Sequence, residues 1–129
     1  MPADVMISII DAITEIAGEN VAYMFMRKAG FKTGTILYSM LIKAGLIKNT
    51  LRDIARGFTD FSTLSGWGKF YIKDGQIVGE NLVYPKPELY FIKGFLEGLI
   101  KEANLKGVVE AQLSEDGKKI MIKIYEKKE

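Results

Sequence analysis

The apolar residues first change their spacing at Gly66-Trp67-Gly68, where a helical half gives way to a mixed one, and that switch limits the fold more than any other feature of the chain. Before it, apolar side chains recur at three- and four-residue steps, the period of a helix face. After it, short runs alternate, the period of a strand. A chain patterned this way is neither all-helical nor all-β.

In the first half, Met6, Ile9, Ile10, Ile13, Ile16, Ala17, Val21 and Met24 mark one side of a helix predicted from Asp4 to about Lys28. Asp11, Glu15 and Glu19 fall opposite, and Gly18 is a candidate break. Gly30 reads as a helix stop. A second helix is predicted from Phe31 to Ala44, ending at Gly45. A third starts at Thr50, where Thr50-Leu51-Arg52-Asp53 resembles a capping box with Asp in the reciprocal role. Its inner side is Leu51, Ile54, Ala55, Phe58, Phe61 and Ser62.

In the second half, Lys69 to Lys73 and Gln76 to Tyr84 read as strands joined at Asp74-Gly75, a favoured hairpin dipeptide. Pro85 and Pro87 exclude a strand interior and suit a helix start, so a helix is predicted from about Glu88 to Asn104. Lys106 to Leu113 and Lys118 to Glu126 form a second hairpin across Ser114-Glu115-Asp116-Gly117. The fold class is therefore α+β. A helical N-terminal half packs on a four-stranded antiparallel sheet, made of two hairpins joined by a helix, with helices on one face. At 129 residues the chain fits a single domain, residues 1–129.

Composition enters as an exclusion. There is no histidine and no cysteine. Ser-His-Asp and Cys-His catalysis, the usual zinc sites and histidine or thiolate haem ligation are all out of reach. No cofactor or metal is expected. The 18 Lys and Arg nearly balance 16 Asp and Glu, so no nucleic-acid partner is expected. The basic tail Glu126-Lys127-Lys128-Glu129 is flanked by acids and reads as a solvated end. Met1-Pro2-Ala3-Asp4 lacks the basic region of a signal peptide. The longest apolar stretch, Ile36 to Ile47, is too short for a membrane span and carries Lys43. A cytoplasmic protein is the expectation.

Few motifs carry chemistry. Gly66-Trp67-Gly68 has no third glycine and opens no helix, so it is not a dinucleotide fingerprint. Gly94 and Gly98 form a GxxxG pair, read as close approach of the helix backbone to the sheet. Glu80, Glu88, Glu97 and Glu110 are the carboxylates from which a weak enzyme case, with Lys or Tyr as partner, would be built. Arg52 and Arg56 share a helix face and could meet an anion or a partner carboxylate, with solvation at the surface the leading reading. The richest feature is aromatic. Phe58, Phe61, Trp67, Phe70, Tyr71, Tyr84, Tyr90, Phe91 and Phe95 cluster between the third helix and the middle of the fourth. Rings of this kind line small-ligand pockets and also fill ordinary cores.

Ile92-Lys93-Gly94-Phe95-Leu96-Glu97-Gly98-Leu99-Ile100 resembles the glycine-paired helix of the 4-vinyl reductase (hydrocarbon-binding) domain family. Val108-Val109-Glu110, Gly117 and the alternation to Ile124 resemble its closing hairpin. Ala29-Gly30-Phe31-Lys32-Thr33-Gly34 resembles its early helix junction, and Gly66-Trp67-Gly68-Lys69-Phe70 the entry to its first strand. The resemblance runs from about Ile16 to Tyr125. It implies a fold shared with vesicle-tethering TRAPP subunits and distantly with haem nitric-oxide-binding domains. It also implies a homodimer and the binding of small hydrophobic molecules without catalysis by the domain itself. Many members carry cysteines where this chain has Leu89 or Tyr90, Leu113, and Ile120 or Met121, so a family metal site is not expected here.

The leading expectation is a stand-alone hydrophobic-ligand domain whose pocket is lined by Trp67, Tyr84, Tyr90, Phe91 and Phe95. The alternative is a homodimeric interaction module using residues 4 to 47, where Val21 to Met26 and Ile36 to Ile42 are apolar all round.

Overall fold

The computed structural model describes residues 3–127. Met1-Pro2 and Lys128-Glu129, which belong to the two terminal segments read above, lie outside the described residues. The order is α1 (Ala3–Ala17), α2 (Glu19–Lys43), α3 (Leu51–Leu64), β1 (Lys69–Lys73), β2 (Gln76–Glu80), α4 (Pro85–Glu102), β3 (Gly107–Leu113) and β4 (Ile120–Glu126). The α+β architecture is the one expected: a helical N-terminal half and one antiparallel sheet of four strands.

Both hairpins form where the turn residues require. Asp74 and Gly75 have φ of 54° and 74°, the two positive values a two-residue turn needs to match strand twist. In the second turn the Ser114 N–H donates to the Lys119 carbonyl, and Asp116 accepts from the Lys118 N–H. The hairpins join through their second strands, giving the order β1-β2-β4-β3. Ile77 pairs with Ile122 and Gly79 with Ile120 across the join. Strand alternation then sets two faces. Phe70, Ile72, Ile77, Val109, Ile120, Ile122 and Ile124 point to the helices. Tyr71, Glu80, Glu110 and Lys123 point away.

Gly18, the candidate break, separates α1 from α2, with φ of 94°. Gly30 does not end a helix. α2 runs unbroken through Gly30 and Gly34, so the two helices expected at 4–28 and 31–44 are divided at 18 instead. The reason lies in α4. Gly30 and Gly34 on α2 face Gly94 and Gly98 on α4, and the two backbones touch. A methyl group added at Gly30 or Gly34 would fall on the carbonyl oxygen of Phe91 or Phe95. One added at Gly94 or Gly98 would fall on that of Arg27 or Phe31. The GxxxG pair thus approaches another helix, not the sheet as expected. Each interior glycine costs the helix about 1 kcal/mol, and the close backbone packing offsets it.

α3 begins at Thr50, whose hydroxyl accepts from the Asp53 N–H at 3.1 Å. The reciprocal half of the capping box is absent. The Thr50 N–H donates to the Lys48 carbonyl, and the Thr50 hydroxyl donates to the Asp53 carboxylate. The helix lies obliquely over the sheet. At its C-terminal end Thr63 Oγ1 accepts from the Phe70 N–H at 3.2 Å, tying it to β1. At its N-terminal end Leu51 packs against Gly107, the first residue of β3. The main core lies between these elements, with Phe58, Phe95, Leu96, Leu99 and Ile120 fully or almost fully buried.

Candidate functional site

The five ring residues singled out from the sequence do not share one site. Trp67, Phe91 and Phe95 come together, and they meet other rings. Phe95 is wholly buried and stacks on Phe61 with centroids 6.2 Å apart. Trp67 sets its edge against Phe58, Phe61, Phe91 and Phe95 at 5.6–6.4 Å. Such edge and stacked contacts are the favoured packing of aromatic rings. Tyr90 turns to the start of α2 and stacks on Tyr23 at 4.8 Å. Tyr84 caps α4, and its N–H donates to Glu88 at 2.9 Å.

The four carboxylates are also apart. Glu80 accepts from the Tyr71 hydroxyl and pairs with Lys119 at 3.2 Å on the outer face of the sheet. That hydrogen bond and that cation hold it below the ordinary range. Glu110 accepts from the Tyr125 hydroxyl. Glu97 takes both bonds of the Arg27 fork, at 2.8 and 2.6 Å, beside the glycine contact. Burial pushes Glu88 above its ordinary range, against the smaller pull of the Tyr84 N–H. Among the described residues no group of three or more acids could hold a metal ion. Leu89 and Ile120, two positions where the resembled family often has cysteine, are core residues. Leu113 pairs with Ile120 across β3 and β4.

Among the described residues, three hollows lie elsewhere, and none of these three is lined by any of the five ring residues. One of about 350 Å³ sits on the polar outer face, over Glu110, Gln112, Met121 and Lys123. One of about 320 Å³ lies beside the Arg27–Glu97 pair, walled by Met24 and Phe31. The largest, about 450 Å³, opens between the first turns of α3 and the sheet.

That cleft follows from how α3 is anchored. One end is fixed at β1 and the other at β3, so the sheet corner at the Asp74-Gly75 turn is left uncovered. Ile72, Ile77, Ile122 and Ile124 form the floor, and Leu51 and Ala55 form the wall. Ile77 and Ile122 are buried, whereas Ile72 is 48% exposed. Arg52, Arg56 and Glu126 bring the only charges among the lining residues. The volume and apolar lining are those of a small-molecule site. The sequence held the signal in two parts: the inward isoleucines of the strands, and the arginines one turn apart on α3.

No family model matches the chain, and no curated protein matches it.

Proposed function

We propose that this chain is a cytoplasmic small-molecule-binding domain of the 4-vinyl reductase type, without catalysis of its own, and that its site is the cleft between α3 and the sheet. The observation that carries the reading is the apolar floor of that cleft: isoleucines from three strands meet a space of about 450 Å³. Burying a ligand there gains about 25 cal/mol per Å² of apolar surface. In the aromatic cluster, the first candidate from sequence, Trp67, Phe91 and Phe95 pack against one another and leave the α3 cleft as the more open apolar surface. No described helix is long and apolar enough to cross a membrane.

A neutral apolar dye, N-phenylnaphthylamine, tests this by fluorescence. It binds the protein saturably, and Ala55→Phe, which fills the cleft, weakens binding about tenfold or more, equivalent to roughly 1.4 kcal/mol. Tyr90→Leu, in the other ring cluster, leaves binding unchanged. Equal binding by the protein and by Ala55→Phe overturns the assignment.

A second reading, homodimerisation, is favoured by a different surface. Val5, Ile16, Val21, Met24, Phe25, Ile36 and Met40, all on α1 and α2, are 45–86% exposed. Phe25, Ile36 and Met40 fall on one side of α2, away from its glycines. Apolar surface of this kind marks protein contacts. Ile36→Glu with Met40→Glu converts a dimer to a monomer in analytical ultracentrifugation. A protein that is monomeric before substitution removes this reading and leaves the first untouched.

A further inference from the structure

We propose that the cleft selects an amphipathic anion: an apolar chain or ring carrying one carboxylate, which Arg52 and Arg56 hold at the mouth. The inference rests on the cleft being the small-molecule site and adds the class of ligand.

The three arginines of the chain are used in two ways. Arg27 is clamped to Glu97 by two hydrogen bonds. Arg52 and Arg56 make no ion pair or hydrogen bond among the described residues, and both line the cleft. Neighbouring acids leave them unmatched. Asp53 is engaged with Thr50. Asp60, one turn beyond Arg56, and Glu126, across the cleft, both stand outside ion-pair distance. Two cations therefore face one carboxylate.

Residues four apart on a helix have Cβ atoms about 5–6 Å from each other, so both guanidinium groups can reach one anionic head. Their planar forks match the two oxygens of a carboxylate. The isoleucine floor demands the rest of the ligand be apolar. A bare hydrocarbon leaves the arginines unused. A sugar phosphate sets hydroxyls against isoleucine, where they find no partner. An acid with an apolar body satisfies both parts of the site.

Decanoate and decanol, which share a chain and differ in the charge of the head, provide the test. Each is titrated into the protein and into Arg52→Gln/Arg56→Gln, with isoleucine methyl resonances as the readout. Decanoate shifts the Ile72, Ile77 and Ile124 methyls and binds about tenfold tighter than decanol, the scale of a charge-assisted hydrogen bond. The double variant brings decanoate to the level of decanol and leaves decanol unchanged. Added salt weakens decanoate alone. Equal affinity for acid and alcohol, or indifference of decanoate to the double variant, overturns the anion preference and leaves an apolar site standing. Failure of both ligands to move the cleft methyls overturns the proposed function as well.

Discussion

α2 and α3 both cover the same core, and they are held by opposite means. α2 meets α4 through four glycines, backbone on backbone, with no space for one more methyl group. α3 meets the sheet through large side chains: Phe58 sets its ring against Phe70 at 5.4 Å, and Leu51 reaches β3. Small residues bring two elements to contact along their length. Large ones hold them apart and leave a wedge where the side chains give out. One chain thus contains a seam without clearance and a cleft with room for a guest.

Adding bulk on each side breaks or sharpens this contrast. Gly94→Ala adds one methyl at the seam, onto the Arg27 carbonyl. Overpacking of that kind costs about 3 kcal/mol, against which alanine returns about 1 in helix propensity, for a net loss of about 2 kcal/mol. Ala55→Phe puts a whole phenyl ring in place of one methyl hydrogen, yet into the cleft, and changes stability by under about 0.5 kcal/mol. Urea denaturation of the two variants decides it. An equal loss in both means that the wedge is not open.

Ser62 probes the inner side of α3. Its hydroxyl is fully buried and has no hydrogen-bond partner among the described residues. Ser62→Ala removes an unpaired polar group and raises stability by about 1 kcal/mol in the same assay. A loss of stability instead indicates an ordered water on that hydroxyl.

The Arg27–Glu97 pair flanks the seam and is partly exposed, with side chains 49% and 24% accessible. A double-mutant cycle with Arg27→Gln and Glu97→Gln gives a coupling of about 0.5 kcal/mol, diminished by salt. The glycines, not the ion pair, hold the seam, and a coupling several times larger reverses that ranking.

The smallest effect concerns Glu88 at the start of α4. Burial raises its folded-state pKa above the ordinary 4.5. The fold favours its protonated form, so the contribution to stability is full below 4.5 and is lost as pH rises through the raised value. Glu88→Gln flattens that part of the stability profile, and an identical profile in the variant places the effect in another group.

Much of this was legible in the sequence. The hairpins were, because Asp74-Gly75 and the β4 alternation of Ile120, Ile122 and Ile124 are local signals. Gly30 misled because a glycine inside an apolar period has two physical uses, to stop a helix or to let another backbone in. Its spacing to Gly34, repeated in Gly94 and Gly98, carried the second meaning, and only a partner across space makes that visible. Trp67, Phe91 and Phe95 were correctly seen as neighbours, yet composition does not say whether rings surround a space or fill it. The cleft depends on the angle at which α3 crosses the sheet. That angle is set by Thr63 meeting Phe70 and by Leu51 meeting Gly107, contacts between segments whose order along the chain does not reveal them.

The glycine seam also bears on how the chain folds. Arg27 and Glu97 lie 70 residues apart, so the tightest helix contact in the molecule is also among its least local. Both hairpins, and the contact of α3 with β1 through Thr63 and Phe70, join nearer neighbours and close short loops. Docking α2 on α4 has to close a long one, at an entropic cost that grows with the logarithm of its length. Glycine-rich helix segments offer little local stability before they meet. Closure of the seam is therefore expected late on the folding path. Substitutions at Gly94 then speed unfolding more than they slow folding, and α3 with its sheet can form before α2 arrives to seal the core.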